Sequence, residues 1–318
     1  MTPTPTAFGT RLAAAMTAAG PLCAGIDPHR SLVEGWGLTY DVAGLERFAL
    51  TCVEAFAGRV AAVKPQSAFF EVFGSRGVAV LERVLTELRE ADTLTILDAK
   101  RGDIGSTMTA YAEAYLGTEA AAPADALTVS PYLGYESLRP AIDLARRTGR
   151  GVFVLALTSN PEGSVVQHAQ RHDESVAGSI VRGAAADNED ARSSGQLGHV
   201  GLVVGATVGS AVKDLALDLR AAATPILAPG FGAQGGDVVA LEHTFGPARS
   251  QVLAASSRAL LAAGPQPHRL VDRLQRSIEE LRGWVDRPAA LGRVALQARP
   301  SGPASVEGAA LHERGQGR

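Results

Sequence analysis

Short apolar runs recur along the chain at residues 22–26, 60–64, 93–98, 126–129, 151–157, 200–204, 224–228 and 251–254. None alternates apolar with polar positions, and several are rich in Val and Ile. Such runs suit strands buried on both faces of a parallel sheet. The segments between them carry helical spacing. Residues 78–90 place Val80, Leu81, Val84, Leu85 and Leu88 on one face, and 41–56 and 107–116 behave alike. Eight strand–helix alternations over about 260 residues predict a single (β/α)8 TIM barrel, a parallel eight-stranded α/β fold. An open doubly wound sheet is the alternative, but no G-x-G-x-x-G follows the first strand to favour it.

Two stretches break the rhythm. Residues 165–198 carry a polar passage that reads as a helix followed by a surface loop. After about Trp284 the sequence mixes Gly, Pro, Ser and Arg, so the barrel is expected over 1–284 and a flexible tail over 285–318. A short docking helix within that tail is the alternative.

Composition narrows the class. The 318 residues carry 30 Lys+Arg against 33 Asp+Glu, and 46% are hydrophobic. Near-balanced charge argues against nucleic acid or an anionic membrane as the main partner. No stretch of about 20 residues is uniformly apolar, and the N-terminus lacks the pattern of a signal peptide. A cytoplasmic protein is the expectation. Cys23 and Cys52, the only cysteines, read as small buried hydrophobes. His29, His168, His172 and His199 show no ligand spacing, and no metal is assigned.

The chemistry concentrates at strand ends. In the stretch DAKRGD, Asp98 and Lys100 lie two apart, so on a strand both face one side, and Asp103 follows on the loop. Lys64 ends the second strand and Asp27 the first. Charge at the C-terminal ends of barrel strands marks the usual place of a site. A structural salt-bridge network is the competing reading. Rim pairs contribute only about 0–1 kcal/mol, whereas sequestering several charges in one mouth costs more than that. After the seventh strand, APGFGAQGG exposes backbone N–H groups suited to phosphate, and Arg258 follows the eighth. Ser159 and Asn160, after the fifth, offer groups that could read a polar ring edge, although S-N-P-E-G is also ordinary turn chemistry.

The motifs DAKRGDIGST, VKPQSAFFE, SPYLG, TSNPEG, VVGAT and APGFGAQGG, taken in order, resemble the orotidine 5'-phosphate decarboxylase family in its actinobacterial form, over roughly residues 8–262. The resemblance implies decarboxylation of orotidine 5'-phosphate to uridine 5'-phosphate without metal or cofactor, in a homodimer that shares its sites. It implies that Lys64, Asp98 and Lys100 form a charged array completed by Asp103 of the other subunit, with Lys100 as proton donor. It implies that Asp27 and Lys64 contact the ribose, with Thr107 reaching across the interface. Ser159 would then read the pyrimidine, Pro229 would lie near the ring, and Gln234 and Arg258 would hold the phosphate. The family often has glycine before that arginine; here Ser257 stands there. The nearest rival is a magnesium-dependent decarboxylase or aldolase on the same barrel. It would need a further carboxylate, for which Glu71 is the candidate. A non-catalytic nucleotide-binding module is the other.

Overall fold

A computed structural model describes residues 5–232 and 235–287. Its strands are β1 (Leu22–Ile26), β2 (Ala62–Pro65), β3 (Leu94–Arg101), β4 (Ala126–Val129), β5 (Gly151–Leu157), β6 (Val200–Val204), β7 (Ile226–Pro229) and β8 (Val252–Ser256). All eight neighbouring pairs are parallel, and β1 pairs with β8 to close the barrel, with Leu22 opposite Ala254. Each strand expected from an apolar run is present. Most boundaries move by one or two residues; β3 runs three residues further, through Lys100 to Arg101.

The apolar side chains divide into two cores. One lies between the strands and the surrounding helices. There Val80, Leu81, Val84, Leu85 and Leu88 of the helix Gly74–Glu90 are all buried, as their spacing predicts. The other fills the barrel itself with Cys23, Ala62, Ile96, Ala126, Phe153, Leu227 and Leu253.

The barrel's N-terminal end is plugged by a helix that the apolar runs did not predict. Phe8–Ala19 inserts Phe8 and Leu12 into the interior, both fully buried. Phe8 meets Phe153 edge-on, with ring centroids 5.9 Å apart. Burial of each such side chain contributes roughly 1.5–3 kcal/mol. Gly151 is a packing requirement, since a Cβ there would lie 2.3 Å from the Phe8 ring. Arg11 pins the plug to Asp125 at 2.6 Å, and the other oxygen of Asp125 accepts from the Thr95 amide.

The 165–198 passage differs from the expected helix and loop. It holds a short helix Gly163–Gln167, a hairpin pairing Gln170–Arg171 with Glu174–Ser175, the helix Val176–Asp187 and a further turn of helix Glu189–Ser193. Ser175 caps the main helix by accepting from the Gly178 amide. Glu189, Asp190, Arg192 and Ser193 are exposed polar residues of helix, whereas Asn188, between the two helices, is buried and donates to the Val200 carbonyl. The helix Pro267–Val285 ends the described barrel. Residues 288–318, on which most of the expected tail falls, lie outside the described residues, as does Gln234.

Candidate active site

Three strand ends deliver four charges to one mouth. Asp27 follows β1, Lys64 lies in β2, and Asp98 and Lys100 end β3. Lys64 Nζ stands 2.9 Å from Asp98 Oδ2 and 3.9 Å from Asp27 Oδ1, while Lys100 Nζ donates to Asp98 Oδ1 at 2.5 Å. Asp98 is therefore held between two ammonium groups. Lys64 and Asp98 are buried, whereas the Lys100 side chain is 44% exposed. The well-anchored pair lies inside, and the freer ammonium faces the opening.

The electrostatics follow from that order. Burial would raise the Asp98 carboxyl pKa, but Lys64 and Lys100 outweigh it and hold it down to about 2. Burial would lower the Lys64 pKa, but Asp27 and Asp98 outweigh it and raise it. Both groups stay charged at neutral pH. Beneath them Cys23 is fully buried, and desolvation pushes its thiol up to about 12. It is a packing residue with no thiolate to offer.

Simple strand alternation does not account for Lys100. Between Leu97 and Arg101, β3 advances four residues while β4 advances two, from Leu127 to Val129. The surplus is taken up in a bulge where Lys100 adopts φ +47°. A lysine in that region costs roughly 1–2 kcal/mol. Thr128 holds the distortion, since its hydroxyl accepts from the Lys100 amide and donates to Asp98 Oδ1, both at 2.9 Å. Thr128 was not singled out from the sequence. Its signal was a lone hydroxyl in the apolar run ALTV.

Toward β7 and β8 the mouth narrows to a cavity of about 140 Å³. Gly25, Asp27, Lys64, Pro229, Phe231 and Arg258 are among its walls. Gly230 and Gly232, in the turn after β7, both have positive φ. Arg258 opens a helix of only four residues, Arg258–Leu261. That is too short for a helix-dipole contribution, so Arg258 acts through its own charge. A second cation also went unnoticed in the sequence. Arg273 brings Nη2 to 3.6 Å from where a Cβ on Gly232 would sit. A larger groove of about 1020 Å³ lies at the other end of the barrel, among Thr10, Pro21, Leu197 and Gln251, and includes none of the four charges.

The remaining expected residues fall at the rim. Ser159 is exposed on the loop after β5 and packs across Gly205, where a Cβ would meet its backbone at 3.2 Å. Asn160 is engaged within that loop by Thr158 and Glu162. Asp103 accepts only from the Ile104 amide, and Thr107 is exposed on the helix Gly105–Leu116. Among the described residues no ion pair joins Asp103 to the four charges. Glu71 is bound by Ser67 and Arg101 instead. Among the described residues, no group of three His, Cys, Asp or Glu is placed to hold a metal ion.

Fold and mouth together define a (β/α)8-barrel protein with an ionic array beside an anion-sized cavity. The family model described as the orotidine 5'-phosphate decarboxylase / HUMPS family matches residues 20–271, and the chain belongs to that family. An orotidine 5'-phosphate decarboxylase from Streptomyces coelicolor is 55% identical over 280 residues, covering 87% of this chain and 98% of the relative. One from Salinispora tropica is 52% identical over 290 residues, covering 91% and 98%. Among solved structures, a Streptomyces avermitilis protein assigned to the same activity is 54% identical, with TM-score 0.84 over 89% of this chain and 97% of the other. The orotidine monophosphate decarboxylase of Leishmania donovani is 29% identical, with TM-score 0.71 over 89% and 100%.

Proposed function

We propose that the chain converts orotidine 5'-phosphate to uridine 5'-phosphate without metal or organic cofactor, with Lys100 as the proton donor. The observation that carries this reading is the Lys64–Asp98–Lys100 chain of ionic hydrogen bonds. In the reaction the bond from C6 to the carboxylate breaks, its electron pair stays on C6, and CO2 leaves. A proton from Lys100 Nζ then bonds to C6, and the amine recovers one from solvent. The carbanion lies in the ring plane with little resonance help. An ammonium beside it both stabilises the charge and ends it. Asp98 keeps that ammonium oriented by accepting its hydrogen bond.

Asp98 also stands where a substrate carboxylate would approach. Two such charges 4 Å apart repel by about 4 kcal/mol at an effective dielectric of 20. The repulsion disappears as CO2 forms, but it is the smaller contribution beside stabilisation of the carbanion. The cavity at Pro229 and Arg258 suits the phosphate and adjoining ribose. Asp27 and Lys64 reach the sugar and Ser159 the pyrimidine edge. Binding free energy gathered there, far from C6, is available to the transition state.

The active form proposed is a cytoplasmic homodimer in which Asp103 and Thr107 serve the partner's site. Support comes from the surface beside them. Ile104, Tyr132 and Leu133 are 62%, 79% and 53% exposed, on adjoining loops where Gly102 abuts Ser130. Exposed apolar clusters of this kind mark association surfaces. Among the described residues, no helix is long and apolar enough to cross a membrane. The occupied state of Glu71 favours the metal-free reading over the magnesium-dependent one.

The test is the ultraviolet absorbance of orotidine 5'-phosphate with purified protein in EDTA. Loss of the substrate band with one CO2 released per substrate is expected. Activity that appears only when magnesium is restored would overturn the metal-free mechanism. No turnover in either condition, by folded protein that binds uridine 5'-phosphate, would overturn the reaction itself.

A further inference from the structure

We infer that the side-chain hydroxyl of Ser257 is a direct donor to the 5'-phosphate of the substrate, and so a specificity-determining residue for phosphate monoesters. The inference takes its ligand from the reading above. It concerns a side chain to which that reading assigns no role.

Ser257 lies between the last residue of β8 and the helix Arg258–Leu261. A serine in that position ordinarily turns its oxygen back to accept from the helix's own amides. This one makes no such bond, and its backbone is at φ −128° and ψ −79°. The side chain points across the seam between β8 and β1 instead. A Cβ on Gly25 would lie 2.7 Å from Ser257 Cβ and 3.1 Å from its Oγ. Gly25 is therefore the residue that makes room for a serine here.

Ser257 Oγ is shielded from solvent and has no hydrogen-bond partner. A buried hydroxyl is costly to leave unpaired, and its residue is among those that line the 140 Å³ cavity beside Arg258. Asp27 Oδ1, which like Ser257 Oγ borders the position a Cβ on Gly25 would take, at 3.3 Å, is likewise buried without a hydrogen bond. The two orphans want opposite things. A carboxylate accepts only, so Asp27 calls for the hydroxyls of a sugar. A hydroxyl can donate, and beside a guanidinium the fitting ligand is an anion rich in acceptor oxygens. A phosphate monoester on a ribose supplies both, acceptor oxygens for Ser257 and Arg258 and hydroxyls for Asp27. Ser256 Oγ, also unpartnered, faces the glycine turn at 3.5 Å from a Cβ on Gly232.

The experiment compares wild type with Ser257→Ala and Ser257→Gly in calorimetric titrations with uridine 5'-phosphate and with uridine. Kinetics on orotidine 5'-phosphate and thermal melts accompany them. Both variants are expected to bind the nucleotide about tenfold more weakly, the loss typical of one hydrogen bond to a charged group. Uridine affinity should stay at the wild-type value, the melting temperature of Ser257→Ala without ligand should not fall, and KM should rise more than kcat falls. Unchanged nucleotide affinity in Ser257→Ala would overturn the inference. So would tighter binding by Ser257→Gly, because the side chain would then only crowd the site, or equal losses for uridine and its phosphate. Wild-type protein that bound the nucleotide but did not decarboxylate would strike the proposed reaction alone.

Discussion

Lys64 Nζ stands 2.9 Å from Asp98 Oδ2, and both side chains are almost wholly withdrawn from water. A pair so placed is strongly felt when one member is removed, because the other is left charged in a poor solvent. The barrel therefore carries an electrostatic liability at its mouth that only a ligand-directed purpose explains well. The same pair makes the site sensitive to acid.

Asp98 is held down to about 2 from an ordinary 3.8. A carboxyl whose pKa is depressed on folding stabilises the native state above its unfolded value. That contribution is lost as pH falls through the folded one. Here it amounts to about 2 kcal/mol, complete above roughly pH 5 and disappearing toward pH 2. Urea midpoints measured between pH 7 and pH 2 should show the loss. In Asp98→Asn that component should vanish, with stability at pH 7 reduced by about 3 kcal/mol, since Lys64 keeps only Asp27. A wild-type acid profile reproduced by Asp98→Asn would contradict the assignment.

Lys100 should separate chemistry from binding. Its ammonium is proposed both to stabilise the carbanion and to protonate it, and each role is commonly worth about a hundredfold or more. Lys100→Ala is expected to lower kcat by at least about 10⁴-fold while uridine 5'-phosphate still binds within a few-fold of wild type. Near-normal turnover in the variant would remove Lys100 from the mechanism.

A shared site predicts rescue between two dead proteins. Lys100→Ala and Asp103→Ala are each expected to be inactive. In a hybrid dimer one of the two sites regains both wild-type residues. With free exchange, half the dimers are hybrids, so about a quarter of wild-type activity should return. Subunit exchange shown by a tagged partner, with no activity regained, would count against a site shared across the interface.

Much of this architecture was legible along the chain. Eight apolar runs without alternation announced a sheet covered on both sides, and all eight strands stand where those runs lie. The site was legible in part, because a barrel gathers its strand ends at one mouth. Asp27, Lys64, Asp98 and Lys100 could thus be grouped although they span 74 positions from first to last. The plug helix was missed, since Ala-rich FGTRLAAAMTAA gives no sign that Phe8 and Leu12 enter the barrel. The 165–198 passage was misread in part because an exposed helix face and a loop share the same polar composition.

Local pattern thus determined the strands, the helices with a clear apolar face and the sequence positions of the charges, because periodicity and strand-end placement are properties of neighbouring residues. The tertiary structure decided what those charges do to one another. The bulge at Lys100, the hydroxyl of Thr128 beneath it, the capture of Glu71 by Arg101 and the room that Gly25 leaves for Ser257 each join residues from different elements. Such contacts depend on distances of a few ångströms between distant parts of the chain, which only the closed barrel sets.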